Sequence, residues 1–278
     1  MDADEADALC WLDPFGAEEL EGLLARVPGL EWVQLPWAGV EDFAARGLFH
    51  DGRRWTCAKG VYAEPVAEHA LTLGLAGLRH LPERVRATSW GRAAGRSLYD
   101  GRVTVLGGGG VARSLLALLA PLRVDATVVR RRPDPVPGAA RVLGADRLAD
   151  ALAGADLVVV ALALTPETTG IVGAPELGAM EAHAWLVNVA RGGHVRTDEL
   201  VTALREGWIA GAALDVTDPE PLPDGHPLWG LPNCIVTPHS ADTPEMIAPM
   251  LAARVEENVR RFGAGGHLIG TVDRELGY

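Results

Sequence analysis

The chain has 278 residues, enough for one large domain or two of ordinary size. Apolar residues make up 48% and charged residues 22%, a globular composition that excludes a disordered or fibrous chain. With 25 basic against 37 acidic side chains the formal net charge is −12. That argues against a nucleic-acid or anionic-membrane partner, since both need a basic surface. Of the 25 basic residues one is a lysine, Lys59, which leaves 24 arginines. In so arginine-rich a chain a single arginine says little, and clusters must decide.

Cys10, Cys57 and Cys234 are far apart and in no metal-type spacing, which points to a reducing, cytoplasmic setting. The longest apolar runs are Leu157–Leu164 and Leu115–Leu122, the latter broken by Pro121. Both are far short of the roughly 18 residues a membrane span needs. The chain opens Met-Asp-Ala-Asp-Glu-Ala-Asp, acidic where a signal peptide is basic and then apolar.

The front of the chain reads as strand, helix, strand. Ala8–Leu12 is a short apolar run, Ala17–Ala25 places Leu20, Leu23 and Leu24 on one helical face, and Trp32–Leu35 is a strand entering the turn Pro36-Trp37-Ala38-Gly39. Glu64–Leu81 is the longest predicted helix, apolar around much of its circumference, which places it at a domain or subunit contact. From Gly101 strands and helices alternate. Val103–Leu106 is a strand, Ala112–Leu119 a helix, Ala126–Val129 a strand, and Val142–Ala153 a turn and helix. Leu157–Ala161 suits a strand buried on both faces. Ala184–Val189, Gly211–Asp215 and Cys234–Thr237 are three more strands, with helix Asp198–Glu206 between the first two. This alternation predicts an α/β fold with a parallel, doubly wound, Rossmann-type sheet. Thr243–Phe262 is a final helix and Gly263–Tyr278 a ragged end.

The segment after Val103–Leu106 is Gly107-Gly108-Gly109-Gly110-Val111-Ala112. Gly107, Gly109 and Ala112 fit G-x-G-x-x-A. The first glycine permits the tight turn and the second lets a pyrophosphate approach the backbone. The small third residue lets helix and strand pack closely. A flexible turn would also be glycine-rich, but the strand before and the helix after supply the context that dinucleotide binding requires. An acid that holds the ribose 2′-hydroxyl should end the next strand. Instead that strand runs into Arg130-Arg131-Arg132, with Arg130 23 positions after Gly107, near the roughly 20-residue offset expected of the acid. Three arginines reject the acid's role and suit a 2′-phosphate, so NADP(H) is expected as the preferred cofactor, with NAD(H) as the other option.

Further motifs follow in order: Trp37-Ala-Gly39-Val40-Glu41, Val66-Ala67-Glu68-His69-Ala70-Leu71, Leu164-Thr165-Pro166-Glu167-Thr168, Asn188-Val-Ala190-Arg191-Gly192-Gly193, Leu214-Asp215-Val216, Glu220-Pro221-Leu222 and Thr237-Pro238-His239. With the glycine turn and the end Val272-Asp273-Arg274 to Gly277-Tyr278, the chain resembles the D-isomer-specific 2-hydroxyacid dehydrogenases. It is most similar to their glyoxylate/hydroxypyruvate reductase branch. The resemblance implies that Arg191, Glu220 and His239 are catalytic. An arginine grips a carboxylate and polarises the neighbouring carbonyl. An imidazolium donates the proton, and a glutamate beside it favours its charged form and holds its orientation. The resemblance also implies cofactor contacts at Gly107, Gly109, Gly110, Val111, Ala112, Leu164, Thr165, Thr168, Val189, Ala190, Asp215 and Ser240, with Asp215 at the nicotinamide amide. Trp37, Gly39 and Val40, with Arg191 and His239, are the implied substrate residues. His69, His194 and His226 have no partner visible in the sequence and read as structural or exposed.

Three substitutions depart from the family's pattern. Ala112 replaces its third glycine, Glu41 its usual aspartate and Ala163 its usual proline. The carboxylate-loop motif also falls at Gly39, tens of residues early. A smaller, N-terminally shortened flavodoxin-like substrate domain is therefore expected, the chain lacking its first strand and helix, through a late start or natural trimming. The expected division is a discontinuous substrate domain, 1–92 with 241–278, and a dinucleotide-binding domain, 93–240, with the active site in the cleft between them. The expected activity is NADPH-dependent reduction of a small 2-oxoacid by a homodimer. The alternative is a non-catalytic dinucleotide-sensing protein of the same fold.

Overall fold

A computed structural model describes residues 6–275. Gly277 and Tyr278, which belong to the family-like end of the chain, lie outside the described residues, as do the first five of the acidic opening. Two compact units form, one from 1–62 with 243–278, the other from 63–242.

The first unit opens β1 (Ala8–Cys10), α1 (Ala17–Arg26), β2 (Trp32–Gln34), α2 (Glu41–Ala45) and β3 (Arg54–Thr56). The strands form a parallel sheet in the order β1-β2-β3. Leu20 and Leu24, one helical turn apart on α1, are buried in one core with Val33, Leu35, Phe43, Phe49 and Trp55. β3 was not expected from the sequence: Arg54-Trp55-Thr56 has no apolar run, and only tertiary pairing makes it a strand.

The second unit follows as α3 (Ala63–Leu78), α4 (Leu81–Arg86), β4 (Arg102–Leu106), α5 (Gly110–Leu119), β5 (Asp125–Val129), β6 (Arg141–Leu143), α6 (Leu148–Leu152) and β7 (Leu157–Val160). It continues α7 (Ala174–Ala179), β8 (Trp185–Asn188), α8 (Thr197–Glu206), β9 (Gly211–Leu214), α9 (Pro227–Gly230) and β10 (Cys234–Val236). The last helix, α10 (Pro244–Gly263), belongs to the first unit. There Asn258, fully buried, donates to Gln34 at 3.0 Å and to the Ile269 carbonyl at 2.9 Å, so α10 is tied to β2 by a satisfied buried amide.

Seven parallel strands of the second unit run β10-β9-β8-β7-β4-β5-β6. The chain enters mid-sheet at β4, moves outward to β6, then resumes on the other side of β4 at β7. Ligands of open α/β sheets bind where the order reverses, at the carboxyl ends of the strands. Every residue of β7, β8 and β9 is buried, which explains why their sequences are apolar apart from Asn188 at the end of β8. β6 overlaps the start of the stretch Val142–Ala153 read as turn and helix; it is three residues long, too short for a periodic signal.

The boundary expected at 92/93 falls at 62/63 instead. α3 carries Gly74 and Gly77, where a Cβ would come within 2.8 Å of Leu157 and 2.3 Å of Trp185. The helix therefore packs directly on β7 and β8, and its apolar face belongs to the core of the larger unit. The helix also ends at Leu78, not Leu81, because His80 turns left-handed before α4.

Candidate active site

β4 delivers the chain to Gly107, whose φ of +118° and close approach exclude any side chain: a Cβ would lie 2.2 Å from the Ala161 carbonyl oxygen. Gly109 precedes α5, and a Cβ there would meet nothing within 4 Å. The amides of Gly110 and Val111 open α5, where the first turn of a helix has donors without intrahelical partners. Ala112 is fully buried beneath them. A pyrophosphate fits such a turn. Arg130 lies along it, its Cδ 3.0 Å from where a Gly108 Cβ would be, while Arg131 and Arg132 are exposed. The turn 163–168 is closed by Thr168, whose hydroxyl accepts from the Thr165 amide and donates to the Ala163 carbonyl, both at 2.8 Å. Glu167 on that turn is held below the usual carboxylate range by hydrogen bonds from Thr165 and its own backbone, aided by the charge of Arg131.

Arg191 follows β8 on a turn locked from within. Buried Asn188 donates to the Arg191 carbonyl at 2.8 Å and accepts from the Ala190 amide at 3.0 Å. Fully buried His194 donates from Nε2 to the Ala163 carbonyl at 3.2 Å, and its Nδ1 lies 3.3 Å from the Arg191 amide. The guanidinium donates to the Ala190 carbonyl at 2.7 Å. At Gly192 a Cβ would sit 1.9 Å from the Thr217 carbonyl oxygen, so this turn touches the backbone of the loop that carries Glu220. Val189 and Ala190 are buried at its base.

Asp215 directly follows β9 and organises the loop after β10. Its Oδ1 accepts from the Thr237 hydroxyl at 2.5 Å and the Ser240 amide at 2.9 Å, and its Oδ2 from the Ala241 amide at 3.1 Å. Its carbonyl accepts from the His239 amide at 2.8 Å. His69, on α3, places Nε2 3.2 Å from Asp215 Oδ1 and 3.1 Å from Thr237 Oγ1. Burial pushes this carboxyl up, but the hydrogen bonds from His69, Thr237 and Ser240 outweigh it and hold Asp215 below the usual range.

His239 has a left-handed φ of 50°, a conformation that costs a non-glycine residue about 1–3 kcal/mol and persists only where surroundings impose it. Its Nδ1 lies 2.6 Å from Glu220 Oε1. A carboxylate only accepts, so Nδ1 carries the proton and Nε2 is directed away from the pair. The hydrogen bond to Glu220 holds the imidazole above its ordinary value, against burial and the charge of Arg191. Glu220 is held correspondingly low by that bond. Asp242 also faces this group; burial pushes its carboxyl up, while the charges of His239 and Arg191 oppose that.

Arg191, Asp215, Glu220, His239 and Ser240 therefore meet at the carboxyl ends of β8, β9 and β10. The expected substrate residues Trp37, Gly39 and Val40 belong to the first unit. Val40 is buried before α2, and the Trp37 ring meets Phe15 edge-on at 5.2 Å. Sequence reasoning missed Asn188, His194, His69 and Asp242. Asn188 and His69 lie inside quoted motifs, and His69 and His194 read as structural or exposed from sequence alone; Asp242 gave no sequence signal. His226 accepts from the Leu228 amide at 3.3 Å and caps α9. Among the described residues no cluster of metal ligands exists, and no helix is long and apolar enough to cross a membrane.

Residues 70–241 match the model of the D-isomer specific 2-hydroxyacid dehydrogenase NAD binding domain, so the larger unit binds a nicotinamide dinucleotide. The chain is 41% identical over 256 residues to an uncharacterized protein of Corynebacterium melassecola, covering 90% of this chain and 84% of that one. It is 30% identical over 283 residues to glyoxylate/hydroxypyruvate reductase A of Photorhabdus laumondii, covering 98% and 87%. Among solved structures, a D-isomer specific 2-hydroxyacid dehydrogenase of Xanthobacter autotrophicus Py2, in complex with NADPH and MES, superposes with a TM-score of 0.87 at 34% identity, covering 100% and 87%. With the glycine turn, the matched domain and these relatives together, this chain belongs to the D-isomer specific 2-hydroxyacid dehydrogenase family, NAD(P)-dependent oxidoreductases.

Proposed function

We propose that this enzyme reduces a small 2-oxoacid, glyoxylate or hydroxypyruvate or a close analogue, to the D-2-hydroxyacid with NADPH. The observation that carries the reading is the His239–Glu220 pair at 2.6 Å beside the locked Arg191 turn. When bound, the nicotinamide supplies the hydride. Arg191 holds the substrate carboxylate and polarises the carbonyl. His239, charged because Glu220 is ionised, gives its Nε2 proton to the carbonyl oxygen, and in the reverse direction the neutral ring takes it back. Asp215 Oδ2 accepts one amide at 3.1 Å, and a carboxylate oxygen has room for a second donor, which suits a nicotinamide carboxamide. Trp37, Gly39 and Val40 contribute the substrate loop.

Arg130, lying along the glycine turn, with Arg131 and Arg132 beyond it, supports a preference for the 2′-phosphate of NADP(H) over NAD(H). The exposed Leu81, Val85 and Trp90, the last 99% exposed, support a homodimer, since apolar patches mark contacts between chains. Light scattering that returned a single-chain mass would remove that assignment. Three free cysteines support a cytoplasmic setting. The imidazole–carboxylate pair favours catalysis over a purely sensing role, which requires no proton donor.

The reading is tested by following dihydronicotinamide consumption across a panel of 2-oxoacids with NADPH and with NADH. Turnover of glyoxylate or hydroxypyruvate, faster with NADPH, is expected. Binding of either nucleotide with no turnover of any 2-oxoacid would replace this reading with the sensing one.

A further inference from the structure

We propose that His69 is a positioning residue for this reaction: through Asp215 and Thr237 it fixes the loop that carries His239. The inference rests on the proposed role of His239 as proton donor. Four polar residues lie on α3. Glu64, Glu68 and Thr72 are exposed; His69 is not, with 21% of its side chain accessible. It reaches inward to a carboxylate and a hydroxyl 146 and 168 positions along the chain, respectively.

The hydrogen bonds fix the proton on the ring. Thr237 has one hydroxyl hydrogen, and it points to Asp215 Oδ1 at 2.5 Å. Thr237 Oγ1 is therefore an acceptor toward His69, as Asp215 Oδ1 is. Nε2 of His69 must carry a hydrogen and donate between them. His69 thus closes a set in which every other donor comes from the His239 loop: the Thr237 hydroxyl, the Ser240 amide and the Ala241 amide on the Asp215 carboxylate, and the His239 amide on its carbonyl.

The loop needs such a clamp. His239 holds φ of 50°, which it would leave if its surroundings relaxed. Thr237 is two residues before it. Without His69, Asp215 keeps its loop donors and remains satisfied, so the sheet stands. Thr237 keeps its bond to Asp215 but loses the second partner that holds its hydroxyl, and the approach of His239 to Glu220 loosens. The groups facing His239 are Glu220, Arg191, Asp215 and Asp242. Of these Glu220 raises its proton affinity most, so a looser loop lowers that affinity.

The test compares the parent with His69→Ala, His69→Gln and Thr237→Val. Glutamine keeps an N–H donor on a side chain of similar reach; Thr237→Val cuts the same link without touching α3. In His69→Ala, kcat should fall about 10- to 100-fold, the scale of a small misplacement of a catalytic group. The His239 ring, titrated by NMR, should move down toward its ordinary value near 6.5. His69→Gln should restore both, although both His69 variants lower Tm. Thr237→Val should shift the ring as His69→Ala does. An unshifted His239 titration in His69→Ala or Thr237→Val, or equal losses of kcat in His69→Ala and His69→Gln, would overturn the proposal. A parent that reduces no 2-oxoacid overturns the proton-donor reading instead, and the NMR titration still decides the positioning role.

Discussion

Two arginine-bearing turns in the cofactor unit are built in opposite ways. The turn of Arg191 is held by Asn188, by His194 and by the contact of Gly192 with Thr217. The turn of Arg130–Arg132 follows β5 with Arg130 resting on the glycine turn and two guanidinium groups in solvent. A charge that must act on a reacting carbonyl is pre-organised, so little reorganisation remains at the chemical step. On the proposed reading, a charge that has only to recognise a phosphate is left to order when the phosphate arrives.

The sharpest way to break this comparison is to remove the proposed proton donor, His239, on the ordered side. His239→Ala should lower kcat about 10²- to 10⁴-fold while NADPH affinity stays within experimental error. Steady-state kinetics with a nucleotide-binding titration checks it; parallel losses of both would show that the loop is holding the fold and not the proton.

On the exposed side, Arg130→Asp with Arg131→Asp should lower the ratio of NADPH to NADH efficiency about 10- to 100-fold, the worth of one charge-assisted hydrogen bond. Turnover with NADH should hardly change. A ratio that stays constant removes the 2′-phosphate role.

The smallest effect on rate is expected at Glu220. Reduction needs the imidazolium, which exists below the His239 pKa. That value is raised above 6.5 by Glu220, so kcat/KM for reduction should be flat at low pH and fall as pH rises through it. In Glu220→Gln the fall should come at lower pH, because the carboxylate that favours the charged ring is gone. In the direction of hydroxyacid oxidation the limb reverses. A limb that stays put in Glu220→Gln would detach Glu220 from the proton.

Much of the fold was readable because buried parallel strands require apolar runs, and Leu157–Val160 or Trp185–Val187 supply them. β3 and β6 escaped because three residues carry no period and their pairing is decided by tertiary neighbours. The domain boundary was misplaced because the small-residue face of α3, Gly74 and Gly77, gives no sign in sequence of which sheet it fits. The site divides the same way. Gly107, Arg191, Glu220 and His239 sit in short motifs whose residue types already fit the chemistry. His69 escaped because its partner Thr237 lies 168 positions away. Asn188 and His194 act on Arg191 through backbone atoms, for which the sequence has no code.

The most direct measurement follows the hydride itself. The enzyme is given hydroxypyruvate and NADPH deuterated at C4 of the dihydronicotinamide, and the product is examined by NMR and chiral chromatography. Deuterium at C2 of the D-hydroxyacid is the predicted result. A product without the label, of L configuration, or no product at all would contradict the account.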